Sequence, residues 1–332
     1  MPHVSVIATF YNLAAYVRRC VGSILAQKGL GDFEVILVDD GSTDGTAQLL
    51  DAYAGDPRVR VEHLQNGGVA QARNHGVRLA RAPWVTFVDG DDFVSPYYLA
   101  ILVEAQRETG CKLVSAAHVI VKDGEDYENW PCGAQVRVFK PASAVNALLY
   151  NHLDESPWAK LGATSLYLEN PFTAGRMYED VAIAGRHYLT AGRVASVSAP
   201  IYAYVMRAGS VVHKRRATVQ QVEDFLWATD QLLQPLQERY PSFTDALAYR
   251  RALELMRVWS VVQTLPASLD RSSYRAQLLS QLRDLWRRVR RDSQAPRGNV
   301  ARLGLLTHAP ALYDTAFAAY ETVAKGVRRS AS

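Results

Sequence analysis

Apolar and polar positions follow two alternating rhythms through the first two-thirds of the chain and a single rhythm in the last third. Residues 3–10 (HVSVIATF) form a short buried-strand pattern, after which Leu13, Val17, Cys20, Val21, Ile24 and Leu25 recur at helical spacing until Gly29 and Gly31. A second apolar run, Phe33–Val38, is followed by a helical stretch carrying Leu49, Leu50 and Tyr53, with Ser42 or Asp44 available as its cap. Arg58–Leu64 alternates like a strand, Asn66-Gly67-Gly68 is a turn, and Val69–Arg81 has a helical period. Trp84–Val88 is the next strand, followed by a helix over Tyr97–Thr109 and a strand over Lys112–Val119. Strand and helix thus alternate three times before Trp84, the pattern of a parallel sheet with crossover helices.

Further along, 122–135 reads as a polar surface loop, Pro157–Leu168 leads into a strand-like run, and Gly175–Asp180 is a glycine-led turn into a helix over Val181–Ala191. Ile201–Val205 is a last short strand. From about Thr218 only the helical period remains, with Pro241 and Pro266 separating helices near 243–264, 271–292 and 310–327. The predicted fold is α/β, a mostly parallel sheet flanked by helices over 1–215, with an all-α appendage over 216–332.

Carboxylates interrupt this pattern where strands end. Phe33–Val38 runs into Asp39-Asp40, and Trp84–Val88 runs into Asp89, Asp91 and Asp92 around Gly90. Three carboxylates within four residues repel one another unless a cation or several donors offset them. An acidic solvated turn is the bland alternative, but open α/β sheets bind ligands beyond the carboxyl ends of their strands. A third acidic site, Glu179-Asp180, lies far off in sequence. Two carboxylates can hold a hard divalent cation completed by diphosphate oxygens, leaving a separate one to act as general base. Asp180, at a helix start, is the candidate base; serving as an N-cap is its alternative role. Other chemistries lack their signatures, with no dinucleotide or P-loop glycine pattern, no G-x-S-x-G elbow and no paired zinc spacing among eight histidines.

Composition adds an asymmetry. Residues 1–212 hold 18 Lys+Arg against 22 Asp+Glu, net −4, whereas 213–332 hold 19 against 11, net +8. The basic last third points to an anionic neighbour, or to a solvated arginine-rich face. Within it, Leu278, Leu279, Leu282, Leu285, Trp286 and Val289 share a helix with Arg283, Arg287, Arg288, Arg290 and Arg291, an amphipathic pattern able to lie on an anionic membrane or to pack on the protein. No apolar stretch is long enough to span a bilayer, no signal-peptide pattern opens the sequence, and Cys20, Cys111 and Cys132 lack metal-ligand spacing. The expected location is the cytoplasm, with peripheral contact at the inner face of the plasma membrane through the basic helices. Nucleic acid is not an expected partner.

Six segments, taken in order, resemble the family-2 glycosyltransferases, nucleotide-sugar-dependent enzymes of the GT-A fold. They are VSVIATFYN (Val4–Asn12), EVILVDDGSTDGT (Glu34–Thr46), NGGVAQARNHG (Asn66–Gly76), WVTFVDGDD (Trp84–Asp92), YED (Tyr178–Asp180) and YVMRAGS (Tyr204–Ser210). The resemblance implies a base and ribose pocket at Thr9, Phe10, Tyr11 and Asn12, a uracil contact from Asp40 or alternatively Asp39, and a nucleotide-side position for Arg73. It implies a DxD motif in which Asp91 first, and Asp89 with Gly90, hold Mn²⁺ or Mg²⁺ and the diphosphate, with Asp92 as a third acid. Asp180 matches the catalytic base; Arg207 and His213 match a segment that closes over the diphosphate, His213 being a candidate metal ligand. Trp158, Lys160 and Glu179 match the acceptor side.

The resemblance further implies an inverting, metal-dependent hexosyl- or N-acetylhexosaminyl-transferase. It would move a sugar from a UDP-sugar to a hydroxyl of a glycan, lipid-linked or polymer acceptor in bacterial cell-surface polysaccharide synthesis. Two departures stand out: Thr9 occupies a position where relatives often carry proline, and Val205-Met206 replace a commoner aromatic or arginine. The alternative is a catalytically inactive nucleotide-binding scaffold in a glycan-assembly complex. A nucleotidyltransferase would need a basic, glycine-rich loop that Val4–Asn12 lacks.

Overall fold

The structure, a computed structural model, describes residues 1–131, 133–207 and 217–317. The first three strands follow the apolar pattern: β1 (Val4–Phe10), β2 (Phe33–Asp39) and β3 (Val59–His63), separated by α1 (Val17–Leu25) and α2 (Thr46–Asp51). Every residue of β1 and β2 is buried, as strands covered by helices on both faces must be. In the edge strand β3 no residue is fully buried. Then follow α3 (Val69–Leu79), β4 (Trp84–Asp89), β5 (Phe93–Val94), α4 (Tyr98–Thr109), β6 (Leu113–Lys122), β7 (Val136–Phe139) and α5 (Pro141–Leu149). The domain continues through β8 (Lys160–Ala163), α6 (Thr164–Glu169), α7 (Glu179–Ala191) and β9 (Val194–Met206).

The nine strands among the described residues form one mixed sheet in the order β3-β2-β1-β4-β8-β6-β9-β5, with β7 also paired to β9. The long ladders β1–β2, β1–β4, β2–β3 and β6–β9 are parallel, and the antiparallel ones are short, as the strand–helix alternation predicts. α1 buries Val17, Cys20, Val21 and Ile24 against this sheet's core, each apolar side chain contributing about 1.5–3 kcal/mol of burial. Cys20 and Cys111 are buried free thiols, while Cys132 lies outside the described residues.

The chain divides into two compact units, Met1–Lys214 with Asp230–Leu236, and Arg215–Thr229 with Gln237–Ser332. Among the described residues the second unit is helical: α8 (Val219–Arg239, shared with the first unit), α9 (Thr244–Gln263), α10 (Arg271–Val289) and α11 (Arg297–His308), then helix over 310–317. Its core centres on Trp259, whose indole N–H donates to Asp314 (2.9 Å), and on a fully buried Arg250–Glu254 pair.

Several elements differ from the sequence pattern. β7, α5, α6 and α11 arise in stretches with no assigned element, and β9 begins seven residues earlier than Ile201, because small residues such as Ala195, Ser196 and Ser198 hide a strand that pairs with β6 and β7. The final helix near 310–327 is described only to 317. α10 turns Leu278, Leu282 and Val289 inward, and Trp286 packs against Gly304 and His308 of α11. Half of the helix's apolar set is therefore buried in the protein's own core, with Leu279, Leu285 and Trp286 partly covered, and Arg283, Arg287, Arg288 and Arg290 are exposed. No helix among the described residues is long and apolar enough to cross a membrane.

Candidate functional site

The register of the parallel strands brings three ends level. Phe10 of β1 pairs with Asp39 of β2, and Thr9 pairs with Asp89 of β4. The chain continues the alignment past the strands, with Asp40 N donating to Phe10 O (2.8 Å) and Gly90 N to Thr9 O (3.0 Å). Gly90 is required by this approach: a Cβ there would lie 2.4 Å from Phe10 Cδ1 and 2.7 Å from Thr9 O.

At the β1–β2 side, Thr9 and Phe10 are buried and Tyr11 is half exposed. Asn12 sits in the left-handed region (φ 52°), donating its backbone N–H to Ser42 Oγ (2.9 Å) while its Oδ1 accepts from Thr43 N (2.8 Å). Both acids here are occupied by fixed donors. Asp40 accepts from Gly67 N (2.9 Å) and Gly68 N (2.8 Å), which binds the glycine turn before α3. Asp39 accepts from Ser42 N (3.1 Å) and pairs with His63 Nδ1 (3.0 Å), whose Nε2 meets Asp51 (3.0 Å). Hydrogen bonds to Asp51 and then to Asp39 raise the His63 pKa, favouring the charged ring between the two carboxylates.

The β4 side is built differently. Asp92 is buried and accepts from Tyr202 O–H (2.6 Å) and Val205 N (2.8 Å), fastening the acidic turn to β9; burial and the neighbouring Asp91 and Asp89 raise its pKa well above the usual range. Both Asp92 carboxylate oxygens are thus engaged by β9. Asp91 pairs with Arg207, and Asp89 accepts from Arg73 (2.7 Å). Burial and Asp89 raise the Asp91 pKa despite Arg207. No group of three or more metal-ligating side chains occurs among the described residues. Two partly exposed carboxylates that already attract a guanidinium nevertheless suit a hard divalent cation completed by phosphate oxygens, with Arg207 as the stand-in cation. His213, the other candidate ligand, lies outside the described residues.

A single buried side chain connects this acidic turn to the head of α7. Arg73, on α3, bonds Asp89 with one nitrogen and Glu179 with another (2.6 Å), and its guanidinium lies 5.6 Å from the Phe172 ring centre. Burial opposes its charge, but Asp89 and Glu179 more than offset that and hold it protonated. Glu179 therefore faces Arg73, and Asp180 is the next residue, the second of α7. The N-cap position belongs to Tyr178, held in the left-handed region (φ 62°), so Asp180 is not the cap. Burial, then Glu179 and Glu155, push the Asp180 carboxyl up to about 7, against the pull of Arg73. A carboxyl there can exchange a proton at neutral pH, as a general base requires.

Of the expected acceptor-side residues, Trp158 stacks on Tyr202 (4.8 Å between centres) and Tyr204 (5.7 Å) and meets His118 edge-on. Lys160 is buried, its ammonium held by Asp154 and by Ser156 O (2.6 Å). Sequence reasoning missed Tyr202, which donates to Asp92 and accepts from Asp89 N (3.1 Å), and Asn74 beside Arg73. Asn74 lies in the quoted segment Asn66–Gly76, whereas Tyr202 carries no local signal, and both act across 98 residues or more of chain.

Comparison with known proteins agrees with this geometry. The model of glycosyl transferase family 2 matches residues 5–167. Glycosyltransferase GlyG of Streptococcus pneumoniae serotype 4 is 30% identical over 243 residues, 68% of this chain and 76% of that protein. The succinoglycan biosynthesis protein ExoO of Rhizobium meliloti is 30% identical over 286 residues, 81% of this chain and 82% of that one. A crystal structure of S. aureus TarS in complex with UDP-GlcNAc shares the fold, with a TM-score of 0.59 at 20% identity over 86% of this chain and 90% of that chain.

Proposed function

The chain belongs to glycosyltransferase family 2, and we propose that it transfers a sugar from a UDP-sugar, with inversion, to a hydroxyl of a glycan or lipid-linked acceptor in bacterial surface polysaccharide synthesis. The observation that carries this reading is Arg73. Its two ion pairs tie the donor-side acid Asp89 to Glu179, so that Asp180 stands at the same end of the sheet as the diphosphate acids. The relative ExoO, a succinoglycan biosynthesis protein, supports the polysaccharide assignment, and the UDP-GlcNAc bound in TarS supports the donor class.

Asp180 accepts the proton of the acceptor hydroxyl as that oxygen forms a bond to the anomeric carbon. The bond from that carbon to the diphosphate oxygen breaks, its electron pair leaving with UDP. One in-line displacement with one base and no protein nucleophile inverts the configuration. Asp91 and Asp89 would hold Mn²⁺ or Mg²⁺, which supplies positive charge to the leaving diphosphate. Arg207, which pairs with Asp91, would be a cation for the same phosphates. Contact with an anionic membrane would be electrostatic, through the exposed Arg287, Arg290 and Arg291, since Leu278, Leu282 and Val289 of α10 are buried and no apolar residue of its amphipathic set is fully exposed.

The test is calorimetry with UDP, GDP and CDP, each with and without Mn²⁺, followed by a panel of UDP-sugars. Metal-dependent binding of UDP alone is the expected result. Preference for another nucleotide would overturn the donor class, and a folded protein that binds none would favour the inactive scaffold.

A further inference from the structure

Between α6 and α7 the chain crosses an exposed stretch, Thr173–Arg176, before reaching Tyr178, Glu179 and Asp180. A base carried at the end of such a loop would be poorly placed unless both ends of the loop were held. Two adjacent residues of α3 hold them. Asn74 grips Phe172 by its backbone, its amide donating to Phe172 O (2.7 Å) and its Oδ1 accepting from Phe172 N (3.0 Å). Arg73 lies over the ring of the same phenylalanine and bonds Glu179 at the far end of the loop. Phe172 is itself fixed, meeting Phe87 of β4 edge-on (5.5 Å between centres) and His187 of α7 (5.6 Å).

The left-handed Tyr178 fits this arrangement. A non-glycine residue in that region costs of order 1–3 kcal/mol and persists only where its surroundings over-determine it. Tyr178 directly precedes α7, whose first residue, Glu179, is held by Arg73. The bidentate Asn74 contact is notable because it reads backbone, not side chain, so it sets where the loop starts whatever residues the loop carries.

We propose that Asn74 is a positioning residue for glycosyl transfer: with Arg73 it clamps both ends of segment 172–179 and so sets the location of Asp180 relative to Asp89. This rests on the assignment of Asp180 as the base. Asn74 touches neither donor nor acceptor in this role; it acts through the loop. Misplacing a reacting group by about 1 Å can cost on the order of 10²-fold in rate, so loosening the clamp lowers kcat while leaving UDP recognition at β1 and β2 intact.

The experiment compares the full chain with Asn74→Ala and the milder Asn74→Ser, which keeps a single hydroxyl for one of the two backbone bonds. Three readouts are made: hydrogen exchange of the 172–182 backbone, tryptic cleavage after the exposed Arg176, and UDP affinity beside UDP release from the UDP-sugar that the panel selects. The expected result is exchange and cleavage at least about tenfold faster in Asn74→Ala, with Asn74→Ser intermediate. UDP affinity stays within about twofold, and kcat falls about tenfold or more. Unchanged exchange and cleavage in both variants would overturn the clamp, as would loosening that leaves kcat unaltered. Equal losses of UDP affinity and kcat would also overturn it, since they would indicate damage to the donor site or the whole domain. Exchange and cleavage need no substrate, so they judge the clamp even if Asp180→Asn keeps full turnover and the base assignment fails.

Discussion

Two strand ends carry acidic clusters that look alike in sequence, Asp39-Asp40 after β2 and Asp89-Gly90-Asp91-Asp92 after β4, yet their carboxylates are satisfied in opposite ways. Those of the first cluster accept from backbone N–H groups: Ser42, Gly67 and Gly68 donate, and the His63 ring sits beside Asp39. The backbone donors are part of the fold and cannot leave. In the second cluster, Asp89 and Asp91 are held by the side chains of Arg73 and Arg207. A side-chain cation can be exchanged for a metal or shared with a phosphate, and burial together with the adjacent acid raises the Asp91 pKa. Asp92 belongs with the first kind, bonded to Tyr202 and Val205 N. Which partner satisfies a carboxylate, rather than how many acids crowd together, separates acids anchored to the fold from acids whose partner can be exchanged.

The comparison is sharpest in paired substitutions. Asp91→Asn should lower turnover by about 10²–10³ while folding as well as the parent. Its folded-state pKa lies above the ordinary 3.8, so ionising Asp91 costs stability as pH rises past that value, and the amide avoids this cost. Thermal unfolding at pH 7 in chelator, beside a turnover assay, checks both halves.

Asp40→Ala should do the reverse to stability. It removes the acceptor of two backbone N–H groups in a turn that water reaches, at about 0.5–1.5 kcal/mol each, and should lower the unfolding temperature of the catalytic unit by a few degrees. If Asp40→Ala leaves stability unchanged and abolishes UDP binding alone, the division between the two clusters fails.

Gly90→Ala should cost about 1–3 kcal/mol through overpacking, because its Cβ would press on Phe10 and on the Thr9 carbonyl. A denaturant titration at constant slope measures it.

The smallest effect is expected at His63. Its pKa is raised in the fold, so the stability it contributes is complete below about pH 6.5 and is lost as pH rises through the folded value. His63→Gln should therefore differ from the parent at pH 5.5 and converge with it in alkali. A difference that grows with pH would mean the ring is held neutral.

Much of the frame was legible because central parallel strands are apolar on both faces: Val4–Phe10, Phe33–Val38 and Trp84–Val88 could be read at once. β7 (Val136–Phe139) and the early part of β9 were not, since a short edge strand with two arginine-flanked valines and a run of Ala and Ser carry no strong period. The acidic turns and Asp180 were visible as residues, and their division of labour was not. Arg73 meets Glu179 across 106 positions, and Tyr202 meets Asp92 across 110, distances at which local pattern says nothing. The inward turn of the α10 apolar face likewise depends on α11, where Gly304 leaves room for Trp286.

The most direct test of the account is the pH dependence of kcat/KM for sugar transfer in the parent and in Asp180→Asn, with UDP affinity measured on the same samples. Burial and the neighbouring acids bring the Asp180 carboxyl to about 7, so activity should fall as pH drops below that point, when the base becomes protonated. Asp180→Asn should lose about 10²–10⁴ of the rate and its acid limb together, with UDP bound as before. Retention of full turnover by Asp180→Asn, or an acid limb that survives the substitution, would contradict the assignment of Asp180 as the base.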